Sequence, residues 1–267
     1  YAVWILTPSG YEAESDRLFP AIYMMDGNWN VAFAAGLADL GSWDLMDPFQ
    51  PTIQICVGYA GADADQALAV RARDFLPPDE IVPQSYLDDT ESGEISQKID
   101  RETARLYLHH LRNPAADRFL AFLTEELHPF VLANYRISPN DVGLFGHSYG
   151  GLFATYAALQ KTSIFRNIGA SSPGILVDGS AIFGLYARAL AEGGLTPRNL
   201  HMTVAARELT DPGSYQSLVG GGTIQFMRHA GSTPLSGLDF TSAILDGETH
   251  VTVKPQAAYS FLRRFYL

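Results

Sequence analysis

The run Val142-Gly143-Leu144-Phe145-Gly146-His147-Ser148-Tyr149-Gly150-Gly151 constrains this chain more than any other stretch. A short apolar strand leads into Gly-x-Ser-x-Gly, and a helical pattern follows over residues 152–160. A chain that turns from strand to helix in so few residues must be very tight there. Glycines at 146 and 150 give the room that a Cβ would deny. In this strand–turn–helix context the pattern holds a serine hydroxyl out at the end of a sheet, where it can act as a nucleophile. The new helix points its positive end toward the place where an oxyanion would form.

The rest of the pattern supplies a sheet for that turn. Residues 1–6, 21–25, 52–59, 142–145, 168–171, 201–205 and 239–245 read as strands, most of them continuous apolar runs rather than alternating ones. Such runs are buried on both faces. Helical spacing appears over 117–135, 180–191, 214–230 and 256–266. Strands alternating with helices give an α/β class with a mostly parallel sheet covered on both sides. Pro129 falls inside the 117–135 pattern and is expected to kink it. The run 21–25 closes on Asp26-Gly27-Asn28, read as a loop. Residues 60–112 are polar and carry Pro77, Pro78 and Pro83. They read as a long excursion, with a short helix over 101–111, of the kind that serves as a lid or binding loop. There is no repeat or linker, so the expectation is one domain over 1–267.

A net charge of −11 argues against nucleic acid and anionic membrane surfaces as main partners. The single cysteine, Cys56, lies in an apolar strand and is expected to be a buried thiol. No apolar run approaches a membrane-crossing length, and no signal peptide is visible. The expected compartment is the cytoplasm. A secreted or periplasmic location stays open, because the chain starts at Tyr1 rather than methionine. No metal-ligand spacing, calcium loop or nucleotide fingerprint is present, so no cofactor or metal is expected.

A serine hydroxyl needs a base, and the base needs an orienting acid. The chain order Ser–acid–His leaves three histidines after Ser148: His201, His229 and His250. His201 opens a strand and His229 ends a helix. His250 sits in a loop between the last strand and the terminal helix, so it is the expected base. The acid is expected in the loop after strand 201–205, where Glu208 is the first choice and Asp211 the alternative. Asp246 and Glu248 flank His250 and are weaker candidates. Oxyanion donors are expected at the N–H of Tyr149 and in Gly27-Asn28. Trp29 is a candidate pocket wall. Arg71 and Arg73 are candidates for binding a substrate carboxylate or phenolate, with a structural ion-pair network as the favoured reading.

Several motifs in order along the chain carry a family resemblance. They are Tyr23-Met24-Met25-Asp26-Gly27-Asn28, Arg71-Ala72-Arg73-Asp74-Phe75-Leu76-Pro77, the elbow through Phe153, Ser171-Ser172-Pro173 and Gly247-Glu248-Thr249-His250. With these the chain resembles the Putative esterase family of α/β-hydrolases, which includes esterase D and S-formylglutathione hydrolase. Its closer branch looks like the enterobactin-type siderophore (trilactone) esterases. Members of that branch often carry tryptophans after the Ser-Pro segment, where this chain has Gly174-Ile175-Leu176-Val177. The resemblance implies an ester or thioester hydrolase with Ser148 and His250 in its site. The expected function is hydrolysis of a small or medium ester, lactone or thioester through an acyl-serine. An acyltransferase using the same residues and a non-catalytic binding protein of the same fold are the alternatives. Oligomeric state is left open.

Overall fold

Among the described residues, seven strands form one sheet in the order β1-β3-β2-β4-β5-β6-β7. They are β1 (Ala2–Leu6), β2 (Phe19–Met24), β3 (Ile53–Gly58), β4 (Ile137–His147), β5 (Asn167–Ser171), β6 (Arg198–Ala205) and β7 (Leu238–Leu245). This is a computed structural model, and it describes residues 1–92, 99–177, 179–211 and 213–267, apart from the side chains at 38 and 40–42. Only β1 runs antiparallel, against β3, and every other neighbouring pair is parallel. All the carboxyl ends from β2 to β7 therefore lie along one edge. In open parallel sheets that edge is where ligands bind.

Burial follows strand position. β2, β3 and β5 are buried along their whole length, whereas the edge strand β7 alternates. Successive side chains feed opposite faces of the sheet. Tyr23, Ile55 and Leu144 join the larger core layer with Phe75, Phe119 and Phe153. Ile22, Met24, Cys56 and Phe145 join the smaller layer with Phe261 and Tyr266. Cys56 is a buried free thiol there, and burial pushes its pKa up to about 12. Among the described residues no helix is long and apolar enough to cross a membrane.

Three sequence expectations are revised. The excursion at 60–112 is mostly helical, over Ala62–Asp65, Ala67–Phe75, Gln84–Ser92 and Arg101–Arg112. Its residues 93–98 lie outside the described residues. The last of these helices is capped by Asp100, whose carboxylate accepts from the N–H groups of Glu102 and Thr103. That helix is the one expected over 101–111, whereas Gln84–Ser92 buries only Leu87 and Thr90 among the described residues, so its pattern was faint. The supposed loop at Gly27-Asn28 is the start of a helix, Gly27–Ser42. Its glycine is required by packing, because a Cβ at 27 would stand 2.9 Å from the Val57 carbonyl carbon. Finally, the helical run around Pro129, where a kink was expected, is not uniformly α-helical. A π-helical stretch, Phe122–Leu127, precedes the proline, and helix resumes at His128–Asn134. Proline cannot donate to the carbonyl one α-turn back, and the widened stretch lies in that turn.

Candidate active site

Ser148 follows β4 directly and takes φ +61°, a left-handed conformation that serine rarely adopts. The turn is held by the Ser148 N–H donating to the Ser171 carbonyl at 2.9 Å, and by the Ser148 carbonyl accepting from Leu152 at 2.9 Å. A Cβ at Gly146 would sit 1.9 Å from the Gly150 carbonyl oxygen, and one at Gly151 would sit 2.7 Å from that of Ser171. The glycines are thus a steric necessity of the elbow.

The loop after β7 brings His250 over the sheet edge, and the short helix Ala206–Thr210 after β6 brings Glu208. His250 Nε2 lies 3.0 Å from Ser148 Oγ, and its Nδ1 lies 2.5 Å from Glu208 Oε1. The other carboxylate oxygen, Oε2, accepts from Ser172 Oγ at 2.7 Å and from the Ala205 N–H at 2.9 Å. The carboxylate is almost fully buried, with 1% of its side chain exposed, yet both its oxygens are engaged. A buried carboxylate facing Nδ1 favours the tautomer with the proton on that nitrogen. Nε2 is then free to accept the hydroxyl proton of Ser148. Chemically, the arrangement can make an alcohol nucleophilic.

Two rings flank the imidazole of His250. Tyr215 stacks on it at 4.5 Å and 27° between planes, and His147 lies 4.7 Å away. His147 is buried, with Nδ1 3.0 Å from Ser171 Oγ. Burial first, then the nearby His250, Lys254 and Arg71, hold its pKa well below the usual histidine value. It therefore stands as a neutral ring beside the base rather than a second cation.

Gly27, Asn28 and Tyr149 all fall in first turns of helices, where an N–H has no intrahelical carbonyl to reach. The Asn28 side chain is already committed: it donates to the Tyr59 carbonyl at 2.9 Å and accepts from the Tyr59 N–H at 2.7 Å. Asp26, the residue before this helix, has φ +58° and forms a buried two-point ion pair with Arg71, at 2.8 and 2.7 Å. The same guanidinium lies 3.4 Å from the His147 carbonyl oxygen.

A cavity of about 300 Å³ opens beside Ser148 and His250. Its walls include Leu68, Leu76, Val82, Tyr86 and Tyr107 from the 60–112 segment and Tyr149, Leu176 and Leu218 from elsewhere. The hydroxyls of Tyr86, Tyr107 and Tyr149 form a chain, with spacings of 2.9 and 2.7 Å.

The structure thus brings Ser148, His250 and Glu208 together. It does not bring Asp211 to the imidazole: Asp211 lines a neighbouring cleft, without a hydrogen bond to His250 among the described residues. Asp246 accepts from the Gly247 N–H, and Glu248 from the Gln256 amide. His201 is tied to Thr241 and Ser260, and His229 packs on Tyr186. Arg71 lines the cavity, but Asp26 occupies its guanidinium. Arg73 binds the adjacent Asp74 at 2.7 Å and does not line the cavity. Trp29 is half exposed and stands outside the cavity wall, with the Arg71 guanidinium 5.8 Å from its ring. Sequence reasoning missed Ser172 and Tyr215. The Ser-Ser-Pro motif was a signal for the first, and nothing local marked the second.

Comparison with known proteins agrees with this architecture. The family model described as Putative esterase matches residues 1–182. A siderophore enterobactin esterase of Emericella nidulans is 32% identical over 176 residues, covering 64% of this chain and 52% of that protein. An apo-salmochelin esterase of Escherichia coli O6:H1 is 30% identical over 175 residues, covering 66% of this chain and 47% of that protein. The chain spans about half the length of the curated relatives it matches. Among solved structures, an IroE-like serine hydrolase from Shewanella oneidensis superposes with a TM-score of 0.76 at 23% identity, covering 99% of this chain and 75% of that one. The fold is the α/β-hydrolase fold.

Proposed function

This chain belongs to the family described as Putative esterase, and from that premise we propose that it is a serine carboxylic-ester hydrolase working through an acyl-serine intermediate. One observation carries the reading: the unbroken hydrogen-bonded series Ser148 Oγ, His250 Nε2, His250 Nδ1, Glu208 Oε1, at 3.0 and 2.5 Å. Ser148 is the nucleophile, His250 the general base and then general acid, and Glu208 the group that fixes the imidazole and stabilises its cation. As Oγ attacks the ester carbonyl, His250 takes the hydroxyl proton. The N–H of Tyr149 and an N–H from Gly27-Asn28 stabilise the oxyanion. His250 returns the proton to the departing alcohol, and water activated by the same ring releases the acid.

The substrate is a small or medium ester, lactone or thioester. Support for this class comes from a largely apolar, tyrosine-lined cavity beside Ser148, and from relatives named as esterases of enterobactin and salmochelin. The 60–112 segment is the substrate-binding excursion of a single domain, since it supplies much of that wall. Active-site labelling tests the proposal. A fluorophosphonate should add one phosphonyl group at Ser148, located by peptide mass spectrometry, and Ser148→Ala should stay unlabelled and inactive on p-nitrophenyl esters. A folded wild-type protein that neither labels at Ser148 nor turns over any ester would refute it.

A further inference from the structure

The imidazole of His250 is largely shut off from water, with 11% of the side chain exposed. Both its nitrogens are engaged in the ring plane, Nδ1 by Glu208 and Nε2 by Ser148. The ring of Tyr215 is stacked on it, with centroids 4.5 Å apart and 27° between the planes. Tyr215 is not a core residue, since it stays 42% exposed. Its hydroxyl forms no hydrogen bond among the described residues. Burial first, then Glu208, holds the phenol above its ordinary pKa, so the ring stands neutral. What Tyr215 offers the imidazole is therefore the face of its π system.

In the proposed reaction the Ser148 proton passes to Nε2, and the imidazole takes on a positive charge that little water can reach. Glu208 meets this charge in the plane, at Nδ1. His147, 4.7 Å away, is held neutral by burial first and then by His250, Lys254 and Arg71. It contributes no opposing charge, while Lys254 and Arg71 keep positive charge on that side of the site. The face of an aromatic ring is its negative part. It attracts a cation lying within about 6 Å of its centroid. Tyr215 stands inside that range, with its face nearly parallel to the imidazole.

We propose that Tyr215 is a positioning residue for the hydrolysis: its ring face stabilises the imidazolium that His250 becomes as Ser148 attacks. The attraction is stronger for the charged ring than for the neutral one, so it is gained chiefly in the transition state. Acylation and deacylation both pass through the imidazolium, and the same contact serves both. This rests on the ester-hydrolase reading above and adds to it a second group that stabilises the cation beside Glu208. A contact of this kind corresponds to roughly three- to thirtyfold in rate.

The test replaces Tyr215 in the full chain by phenylalanine and by 4-fluoro-, 3,5-difluoro- and 3,4,5-trifluorophenylalanine. Tyr215→Phe is the reference, so the loss of the hydroxyl cancels. Each fluorine withdraws electron density from the ring face and leaves the shape almost unchanged. Fluorine also makes the ring more apolar, so a ring that only packed would hold its rate or raise it. Two quantities are read per folded molecule: the limiting single-turnover rate of p-nitrophenol release from p-nitrophenyl butyrate, and the concentration that gives half of it. The logarithm of the limiting rate should fall steadily along the series, by about three- to thirtyfold in total. The half-saturation concentration should change little, because the contact with a neutral imidazole is weak. Tyr215→Leu, which has no π face, should lose at least as much as the trifluoro ring. A flat or rising series, or one in which only half-saturation moves, overturns the inference and leaves the esterase reading standing. A wild type that releases no p-nitrophenol overturns the esterase reading, and this inference falls with it.

Discussion

The orienting role proposed for Glu208 predicts that activity and stability will separate when its carboxylate is altered. Glu208, almost fully buried, receives three hydrogen bonds: from His250 Nδ1, Ser172 Oγ and the Ala205 N–H. Glu208→Ala leaves all three donors unpaired. At about 1–3 kcal/mol for each buried donor left unsatisfied, and allowing for relaxation, the fold should lose about 3–6 kcal/mol. Glu208→Gln is nearly isosteric. Its amide oxygen can still accept from Ser172 and Ala205, so the loss should be only about 1–2 kcal/mol. Its NH2, however, then faces Nδ1 and demands a lone pair there. The ring proton moves to Nε2, which can no longer take the proton of Ser148. A base held in the wrong tautomer costs about 10⁴ in kcat, or about 5.5 kcal/mol of transition-state stabilisation. The two variants should therefore differ in urea midpoint yet both fall by three to four orders of magnitude in p-nitrophenyl ester turnover per folded molecule. A Glu208→Gln protein that folds and keeps activity within about tenfold of wild type would refute the role. So would losses that merely track the folded fraction.

The buried pair Asp26–Arg71 should behave as a coupled unit. Asp26→Asn and Arg71→Met should each lower the unfolding free energy by about 3–5 kcal/mol, and the double variant by clearly less than the sum, since each single change strands the other group. Strictly additive losses in chemical denaturation would contradict this. A second expectation concerns acid. Burial, then Arg264, lowers the pKa of His201 to about 4 from an ordinary 6.5. The unfolded chain therefore binds more protons between those values. The stability given by the neutral ring is fully present above pH 6.5 and is lost as pH falls toward 4, by up to about 1.4 kcal/mol per unit. His201→Asn should show a flatter acid limb of unfolding free energy against pH, and an unchanged slope would argue against the depressed pKa.

How much of this was legible in the sequence depends on how local each cause is. The elbow could be read because its constraint is contained in five residues: a Cβ at 146 has nowhere to go whatever the rest of the chain does. His250 and Glu208 could be read from chain order, since both follow apolar runs that become parallel strands ending at one edge. The helices of the 60–112 segment were less legible. Leu87 and Thr90 are the only buried positions of Gln84–Ser92 among the described residues, so hydrophobic periodicity is weak there. The part of Ser172 was hidden for another reason. The Ser-Ser-Pro motif marks its position, but its hydrogen bond to a carboxylate 36 residues away is encoded in no local pattern. The same holds for Tyr215, whose stacking on His250 joins the start of a helix to a loop well separated in sequence.

The backbone shows where this fold departs from easy geometry. Among the described residues, three that are not glycine have positive φ: Asp26 at 58°, Ser148 at 61° and Ser172 at 41°. Each follows the carboxyl end of one of three neighbouring strands, β2, β4 and β5. Each also fixes a different part of the site. Asp26 immediately precedes Gly27 and is locked by Arg71. Ser148 carries the hydroxyl, and Ser172 holds the Glu208 oxygen that faces away from His250. Such conformations cost about 1–3 kcal/mol apiece and persist only where surrounding contacts over-determine them. The contacts are present: the Ser148 N–H donates to the Ser171 carbonyl and the Ser172 N–H to the Thr203 carbonyl, at 2.9 and 2.7 Å. The strain is therefore concentrated at the sheet edge where the chemistry is proposed, and the rigid parallel strands beneath supply the stability that holds it.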